Sequence, residues 1–352
     1  MMTNKHQSGL ALISVLLIFA IVAVLATAMI ERQSLDIQRS ANLQAQQQAR
    51  AYTSGIEYAV RSGLQLDFEA DKAVDHLLEE WAIPRTYPLQ PGIAEIQIFD
   101  AQARFNLNSL HKTASNRSAQ TQRFKNLLAE LGLEEIIAER TQQFIDDESM
   151  VDNDYLNAEP AYRASYALFK HPSELLLVEG VDALTYQKLI PYVSALPVGA
   201  TLNVNTASNK VMAALTTRWS MSDADRVIGN RGDKGFASVD DFWGLAEVSE
   251  FTEANNANGL NSNGSTTDSS TTDPAKEQWD KADFSVNSQY FEVFSKVTLA
   301  DRIATVEMLI YRNAETGKMR TYYRDYSRTE ARAAIASEPQ VSTAESANNN
   351  NE

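Results

Sequence analysis

Residues 10–30, LALISVLLIFAIVAVLATAMI, contain no charged side chain. At helical rise a run of that length reaches roughly 30 Å, the thickness of a bilayer's hydrocarbon core. It follows a short polar leader, MMTNKHQSG. The helical pattern does not stop at Ile30. No proline occurs before Pro84, and no glycine lies between Gly9 and Gly55. Small or apolar residues recur at Ala41, Ala45, Ala49, Tyr52, Ile56, Ala59 and Gly63 in steps of three and four, one stripe of a helix. The sequence therefore predicts one helix from about Leu10 to about Leu66, roughly 85 Å long. Residues 10–30 would lie in a membrane. Residues 31–66 would lie outside it, packed on a domain or on neighbouring subunits.

A cleaved secretory signal meets part of this pattern, since Lys5 and His6 are weakly basic and Ala26-Thr27-Ala28 resembles a cleavage site. The apolar run is longer than a usual signal core, however, and the helical pattern continues through the supposed cut. An ordinary signal anchor fits the hydropathy but leaves the later stripe unexplained. Lys5 precedes the span, and Glu31 and Arg32 follow it, which favours an N-terminus in the cytoplasm with the remaining residues on the other side.

Of the 352 residues, 44% are hydrophobic, enough for a packed core beyond the anchor. The net charge of −15 repels phosphate backbones and argues against nucleic-acid binding. Cysteine is absent, which excludes disulfides, thiolate catalysis and cysteine metal sites. The histidines, His6, His76, His111 and His171, form no HxxxH or HExxH pair, so a zinc site is not expected.

Residues 67–91 read as a short amphipathic helix carrying Leu77, Leu78 and Trp81 and ending at Pro84, with Glu79 and Glu80 as surface charge. Residues 94–107 read as a β-hairpin, with Ile96, Ile98, Phe105 and Leu107 alternating about a turn at Asp100-Ala101-Gln102. From 117 to about 250 the pattern is helical, with Gly132 closing one helix. Residues 252–275 are Asn, Ser, Thr, Asp and Gly with few apolar residues, a disordered loop by composition. Strands return over 286–326, with a turn at 314–317, and the tail from 329 to 352 is polar. Strands so far apart must share one sheet. The predicted fold is α+β: a long N-terminal helix covering a small antiparallel sheet built from 67–110 and 286–328. A large, mostly helical insertion fills 111–285.

These features resemble a known family. A polar leader ending in glycine before an apolar helix is the leader of pilins and pseudopilins. Gly9 would precede the cut and Leu10 would become the new N-terminus. Pilins carry a glutamate five residues into the processed chain, where this sequence has Ser14. That departure, the helical insertion, HPSELLLVEG at 171–180 and LNVNTAS at 202–208 together resemble the minor pseudopilin K of type II secretion. The resemblance implies processing and methylation of the new N-terminus, with prepilin peptidase making the cut. It also implies a single-pass inner-membrane chain with its C-terminal domain in the periplasm, joined to minor pseudopilins I and J and to other pseudopilins. Such a trio caps the pseudopilus tip and primes its assembly, for export of folded periplasmic proteins across the outer membrane. The alternative in the same class is a minor pilin of a type IV pilus or competence pseudopilus.

In that family's fibres the missing glutamate neutralises the terminal amine of the subunit above. A buried carboxylate without such a partner is costly, so a neutral Ser14 suits a tip position. By chemistry alone Ser14 could equally be a helix residue whose hydroxyl bonds the preceding turn.

Six carboxylates, Asp146, Asp147, Glu148, Asp152, Asp154 and Glu159, fall within FIDDESMVDNDYLNAE. They would repel one another unless a cation sat among them, and calcium accepts about six to eight oxygens in irregular loops. The EF-hand spacing is absent, and a solvated acidic loop is the plainer reading. The resemblance implies calcium in the helical domain, which makes Asp146, Glu148, Asp152 and Asp154 the candidate ligands. LNVNTAS and the stretch after it, like VEGVDAL, resemble helix-hairpin-helix units. The glycines that would offer N–H groups to phosphate are missing at Trp219-Ser220-Met221-Ser222, and Glu179 and Asp182 flank Gly180. Asn203, Asn205 and Thr206 read as caps and turn bonds. The Arg-Gly-Asp at 231–233 reads as a turn. No G-x-S-x-G, Walker loop or dinucleotide fingerprint occurs, so the sequence is read as a non-enzyme with no catalytic residue. N-terminal sequencing of the protein from its own cell is expected to begin at Leu10. A start at Met29 would mean signal-peptidase cleavage and loss of the anchor.

Overall fold

One unbroken helix, α1 (Gln7–Ala70), opens the computed structural model, which describes residues 7–90, 92–252, 279–299 and 302–326. The disordered loop expected at 252–275 lies outside these residues except for Thr252, and so does the tail from 327 onward. The apolar stretch of α1 is long enough to cross a membrane, and none of it is buried in the fold. Its C-terminal part meets the rest of the chain, where Tyr52 Oη donates to Gln90 O at 2.9 Å. There Thr53, Ile56, Val60, Leu64 and Phe68 are buried in steps of three and four. The expected stripe therefore rotates after Ile56. Ala59 and Gly63 face outward, because the sheet takes up the bulkier Val60 and Leu64 instead.

The sheet under α1 has five antiparallel strands in the order β1 (Arg85–Leu89), β2 (Gly92–Asp100), β7 (Tyr290–Leu299), β8 (Arg302–Arg312), β9 (Met319–Asp325). Alternate residues point at the helix: Ala94 and Ile96 on β2, Phe291, Val293, Val297 and Leu299 on β7, Val306, Met308 and Ile310 on β8. Register aligns them across strands, with Phe291 opposite Ile310 and Val293 opposite Met308. Trp81 closes this core edge-on to Phe291 at 5.3 Å. Gly317 turns β8 into β9 at φ +67°, and a Cβ there would lie 2.6 Å from the Phe68 ring, so the turn fits under α1 only as glycine.

Two local expectations are corrected. Residues 67–91 are not an amphipathic helix. α1 runs on to Ala70, a 3-10 turn spans Glu80–Ala82, and Arg85–Leu89 is an edge strand. Phe68, Val74 and Trp81 anchor the segment at separate points, while Leu77 and Leu78 stay exposed, so the expected helical face does not form. Residues 94–107 are not a hairpin. β2 pairs with β1 and β7, and Asp100 caps a 3-10 turn over Ala101–Ala103 by accepting from Gln102 N at 2.7 Å.

The chain leaves the sheet after Asp100, earlier than expected, and returns at Tyr290; Asp100 sits opposite Phe291. The intervening helical region has two halves with separate cores. The first runs from β3 (Phe105–Asn106) through α2 (Arg117–Glu130), α3 (Ile136–Ile145), α4 (Asp152–Leu156) and α5 (Ala183–Leu189) to β4 (Val193–Ser194). Phe105, Phe124, Phe144, Phe169 and Leu175 fill it. The second runs from β5 (Leu202–Asn203) through α6 (Asn209–Ala213), α7 (Met221–Gly229), α8 (Val239–Trp243) and α9 (Ala246–Thr252) to β6 (Phe284–Ser285). Met212, Trp219, Phe242, Phe251 and Trp279 fill that one. Each half is closed by a two-residue parallel pair, β3 with β4 and β5 with β6.

Leu64 is fully buried and Leu66, two residues on, is 68% exposed. Leu64→Ala is expected to cost about 2–5 kcal/mol and Leu66→Ala no more than about 0.5 kcal/mol, measured by denaturant unfolding of the full chain in detergent.

Candidate functional site

The membrane-distal end of α1, the ends of β2 and β8, and the LNVNTAS segment meet in one buried polar joint. Asp100 closes β2 with its carboxylate inside. Its Oδ2 accepts from Asn203 Nδ2 at 3.1 Å, from Thr206 Oγ1 at 2.5 Å and from Ser288 Oγ. Asn203 has no exposed surface and also donates to Asp75 O and Ser288 Oγ. Asp75 in turn takes Arg312 Nη2 on both oxygens, at 2.5 and 2.6 Å, and Ser288 N at 2.7 Å. Arg312 Nη1 reaches Asp67 on α1 at 3.2 Å. The guanidinium lies over the Phe291 and Phe68 rings, 4.6 and 5.4 Å from their centroids.

One arginine serves a group of carboxylates here. Oxygens of Asp67, Asp75 and Glu79 lie within 4.8 Å of one another. Burial, reinforced by the charges of Glu79 and Asp75, pushes the Asp67 carboxyl up to about 7 despite its contact with Arg312. Burial also raises Asp75 and Glu79, and pushes Asp100 to about 6 against the pull of its hydroxyl and amide donors. Glu79 is thus not the surface charge expected of it. It accepts from Trp81 Nε1 at 2.5 Å and from His76 N at 3.1 Å.

The asparagines also disclose a repeat that the sequence reading missed. FNLNSL at 105–110 and LNVNTA at 202–207 perform the same task in the two halves. Asn106 Oδ1 accepts from Asn108 N at 3.2 Å, and Asn203 Oδ1 accepts from Asn205 N at 2.9 Å. Asn108 grips the backbone of Phe169 through both ends of its amide, and Asn205 grips Phe236 in the same way. Two residues after each phenylalanine stands a capping residue, His171 or Ser238, whose capping box is completed by Glu174 or Asp241. The signal was present in the sequence as Φ-N-Φ-N-[ST] twice, each followed downstream by F-x-x-x-x-[DE].

The hinge residues expected to be caps and turn bonds, Asn203, Asn205 and Thr206, are that and more, since they fasten the insertion to the sheet. Ser220 caps α7 with Asp223, and Trp219 is buried. The Arg-Gly-Asp stretch is a turn in which Arg231 donates to Ala207 O at 2.7 Å. Gly9 and Leu10 stand in the first turn of α1, and Ser14 lies exposed on its apolar part. The four candidate calcium ligands are not drawn together. Asp146 pairs with Arg117 at 2.8 Å, Glu148 with Lys112 at 2.7 Å and Asp152 with Arg163 at 2.6 Å, while Asp154 is exposed in α4. As placed, these residues do not fit a calcium ion. Among the described residues the one convergent carboxylate group is Asp67, Asp75 and Glu79, with Arg312 on it.

A membrane-length helix running unbroken onto an antiparallel sheet, with a helical insertion on a buried joint, defines a pseudopilin-type subunit. Two family models described as "Type II secretion system (T2SS), protein K" match residues 103–198 and 202–261, one for each half of the insertion. The chain is 35% identical over 340 residues to type II secretion system protein K of Pseudomonas aeruginosa, covering 92% of this chain and 93% of that one. It belongs to the type II secretion system protein K family. It is also 33% identical over 257 residues to the Klebsiella pneumoniae protein, covering 67% of this chain and 78% of that one. A chain in the crystal structure of the GspK–GspI–GspJ complex from enterotoxigenic Escherichia coli superposes with a TM-score of 0.68 at 28% identity. That match covers 83% of this chain and all of the other.

Carboxyls raised by burial hold their protons more tightly folded than unfolded. The stability they confer is complete below about pH 4 and is lost as pH rises through about 6 to 7. Glu57, lowered first by its bond from Arg324, titrates below that window. The full chain in detergent is therefore expected to melt at a higher temperature near pH 5 than near pH 8. Asp67→Asn is expected to flatten that dependence, read by thermal melts across the range.

Proposed function

We propose that this chain is the minor pseudopilin that caps the pseudopilus tip and primes its assembly, together with minor pseudopilins I and J. The observation that carries the reading is where the insertion is mounted. The joint of Asp100, Asn203, Asp75 and Arg312 lies at the end of α1 farthest from its apolar segment, so the insertion covers the top of the subunit. A further subunit stacked above would meet that bulk rather than a helix end. The complex solved for the Escherichia coli relative supports pseudopilins I and J as partners here.

In this reading the apolar part of α1 holds the chain in the inner membrane before assembly, N-terminus in the cytoplasm and sheet and insertion in the periplasm. Prepilin peptidase cuts after Gly9. Ser14 then leaves no carboxylate waiting for an amine above. The outward face of α1 suits helix packing, because Gly55, Ala59, Ser62 and Gly63 are exposed and a Cβ at Gly55 or Gly63 would meet nothing within 4 Å. Small residues let helix backbones approach closely. The finished tip serves export of folded periplasmic proteins across the outer membrane.

The test is capture of pseudopilins I and J by the full-length chain from membranes. The wild-type chain is expected to retain both. Gly55→Leu with Ala59→Leu is expected to lower capture about tenfold or more, the effect of losing roughly 1.4 kcal/mol, with the melting midpoint unchanged. Failure of the wild-type chain to retain either partner would sink the reading.

A further inference from the structure

The acidic loop between α3 and α5 is the place where kinship leads one to expect a divalent cation, and the structure fills it differently. We propose that Lys112, Arg117 and Arg163 supply the positive charge there, so that the loop holds its shape without metal.

Arg117 is the first residue of α2, and the first turn of that helix contains no acidic side chain. A cation at that end opposes the helix dipole, so its presence calls for a compensating anion from elsewhere. Asp146, at the end of α3, provides it. Asp146 Oδ2 accepts from Arg117 Nη2 at 2.8 Å, and Oδ1 accepts from Glu148 N at 3.1 Å. Arg117 Nε also donates to Leu110 O at 3.1 Å, so one side chain ties the start of α2 both to the 3-10 turn before it and to the end of α3.

The other cations repeat the pattern. Lys112 Nζ sits between Asp147 Oδ1 at 2.6 Å and Glu148 Oε1 at 2.7 Å, and holds two adjacent carboxylates together. Asp152 Oδ2 accepts from Arg163 Nη1 at 2.6 Å, and Oδ1 accepts from Tyr166 Oη at 3.0 Å. Both oxygens of Asp146 and of Asp152 are therefore engaged with donors of the chain. Calcium requires about six to eight oxygens converging at 2.3–2.6 Å. Among the described residues no three carboxylates of this loop converge even within 4.8 Å. Tethered cations differ from a bound ion in one respect that can be measured: their occupancy does not depend on free metal concentration.

The experiment compares thermal melts of the full-length chain in detergent with millimolar calcium and with EGTA, alongside equilibrium dialysis with radioactive calcium. A site filled to about a hundred times its Kd would raise the midpoint of a domain this size by roughly 5–10 °C. The wild-type midpoint is expected to be the same in both conditions. Arg117→Gln and Arg163→Gln are each expected to lower it by the same amount with calcium as with EGTA. If calcium raises the wild-type midpoint and Asp152→Asn abolishes that rise and the bound calcium, the proposal fails. A rise that survives Asp152→Asn but is lost in Asp146→Asn or Asp154→Asn overturns it as well. Midpoints unchanged in both basic-residue variants would also overturn it, because the cations would then hold nothing.

Discussion

The guanidinium of Arg312 lies inside the protein between two aromatic rings, with carboxylates from two separate segments on its edge. Everything attached to the sheet is arranged around it. Asp67 brings the end of α1, Asp75 brings the segment that follows, and Ser288 brings the strand returning from the insertion. Burying such a group is expensive. Net stabilisation by an ion pair of this kind is small, while loss of one partner typically costs about 3–5 kcal/mol. Its value therefore lies in uniqueness: only one arrangement of these segments satisfies the charge.

The same physics explains how a sheet of five strands tolerates a long helical region in its middle. The chain departs beside β7 and returns on β7, so the ends of the insertion are neighbours in the sheet. Closing a loop costs little more as the loop lengthens. What must be paid for is orientation, and Asn203 and Thr206 settle it by reaching the Asp100 carboxylate. The two halves are then variations on one unit, each folding over an asparagine that holds the backbone of a distant phenylalanine. An amide can donate and accept at once, which lets one side chain replace a whole rung of sheet where the strands are only two residues long.

Much of this was legible in the residues. The rod from Leu10 onward is written in the absence of helix breakers, and the returning strands in their alternation. What could not be read depended on partners distant in sequence. Phe105 and Leu107 alternate as a strand should, yet Phe105 pairs with Val193 rather than folding back on Ile98. Glu79 looks like surface charge until Trp81 is placed beside it. Ala59 and Gly63 extend a stripe on paper, but bulk decides which side of a helix is buried, and Val60 and Leu64 won. The acidic run looks unpaired in the sequence because the cations that meet it in the fold, Lys112 and Arg117, lie some thirty residues earlier in the chain.

The placement of the Arg312 joint at one end of a helix of 64 residues has a mechanical meaning. Helical hydrogen bonds run along the axis, so α1 is stiff to a push delivered at its N-terminal end. Such a push reaches the sheet as shear along the Ile56, Val60 and Leu64 contacts, spread over several residues. It reaches the insertion through a compact polar weld just beyond them. Load is thus carried in parallel by the apolar seam and delivered at one rigid point, as a strut delivers thrust to the plate it carries.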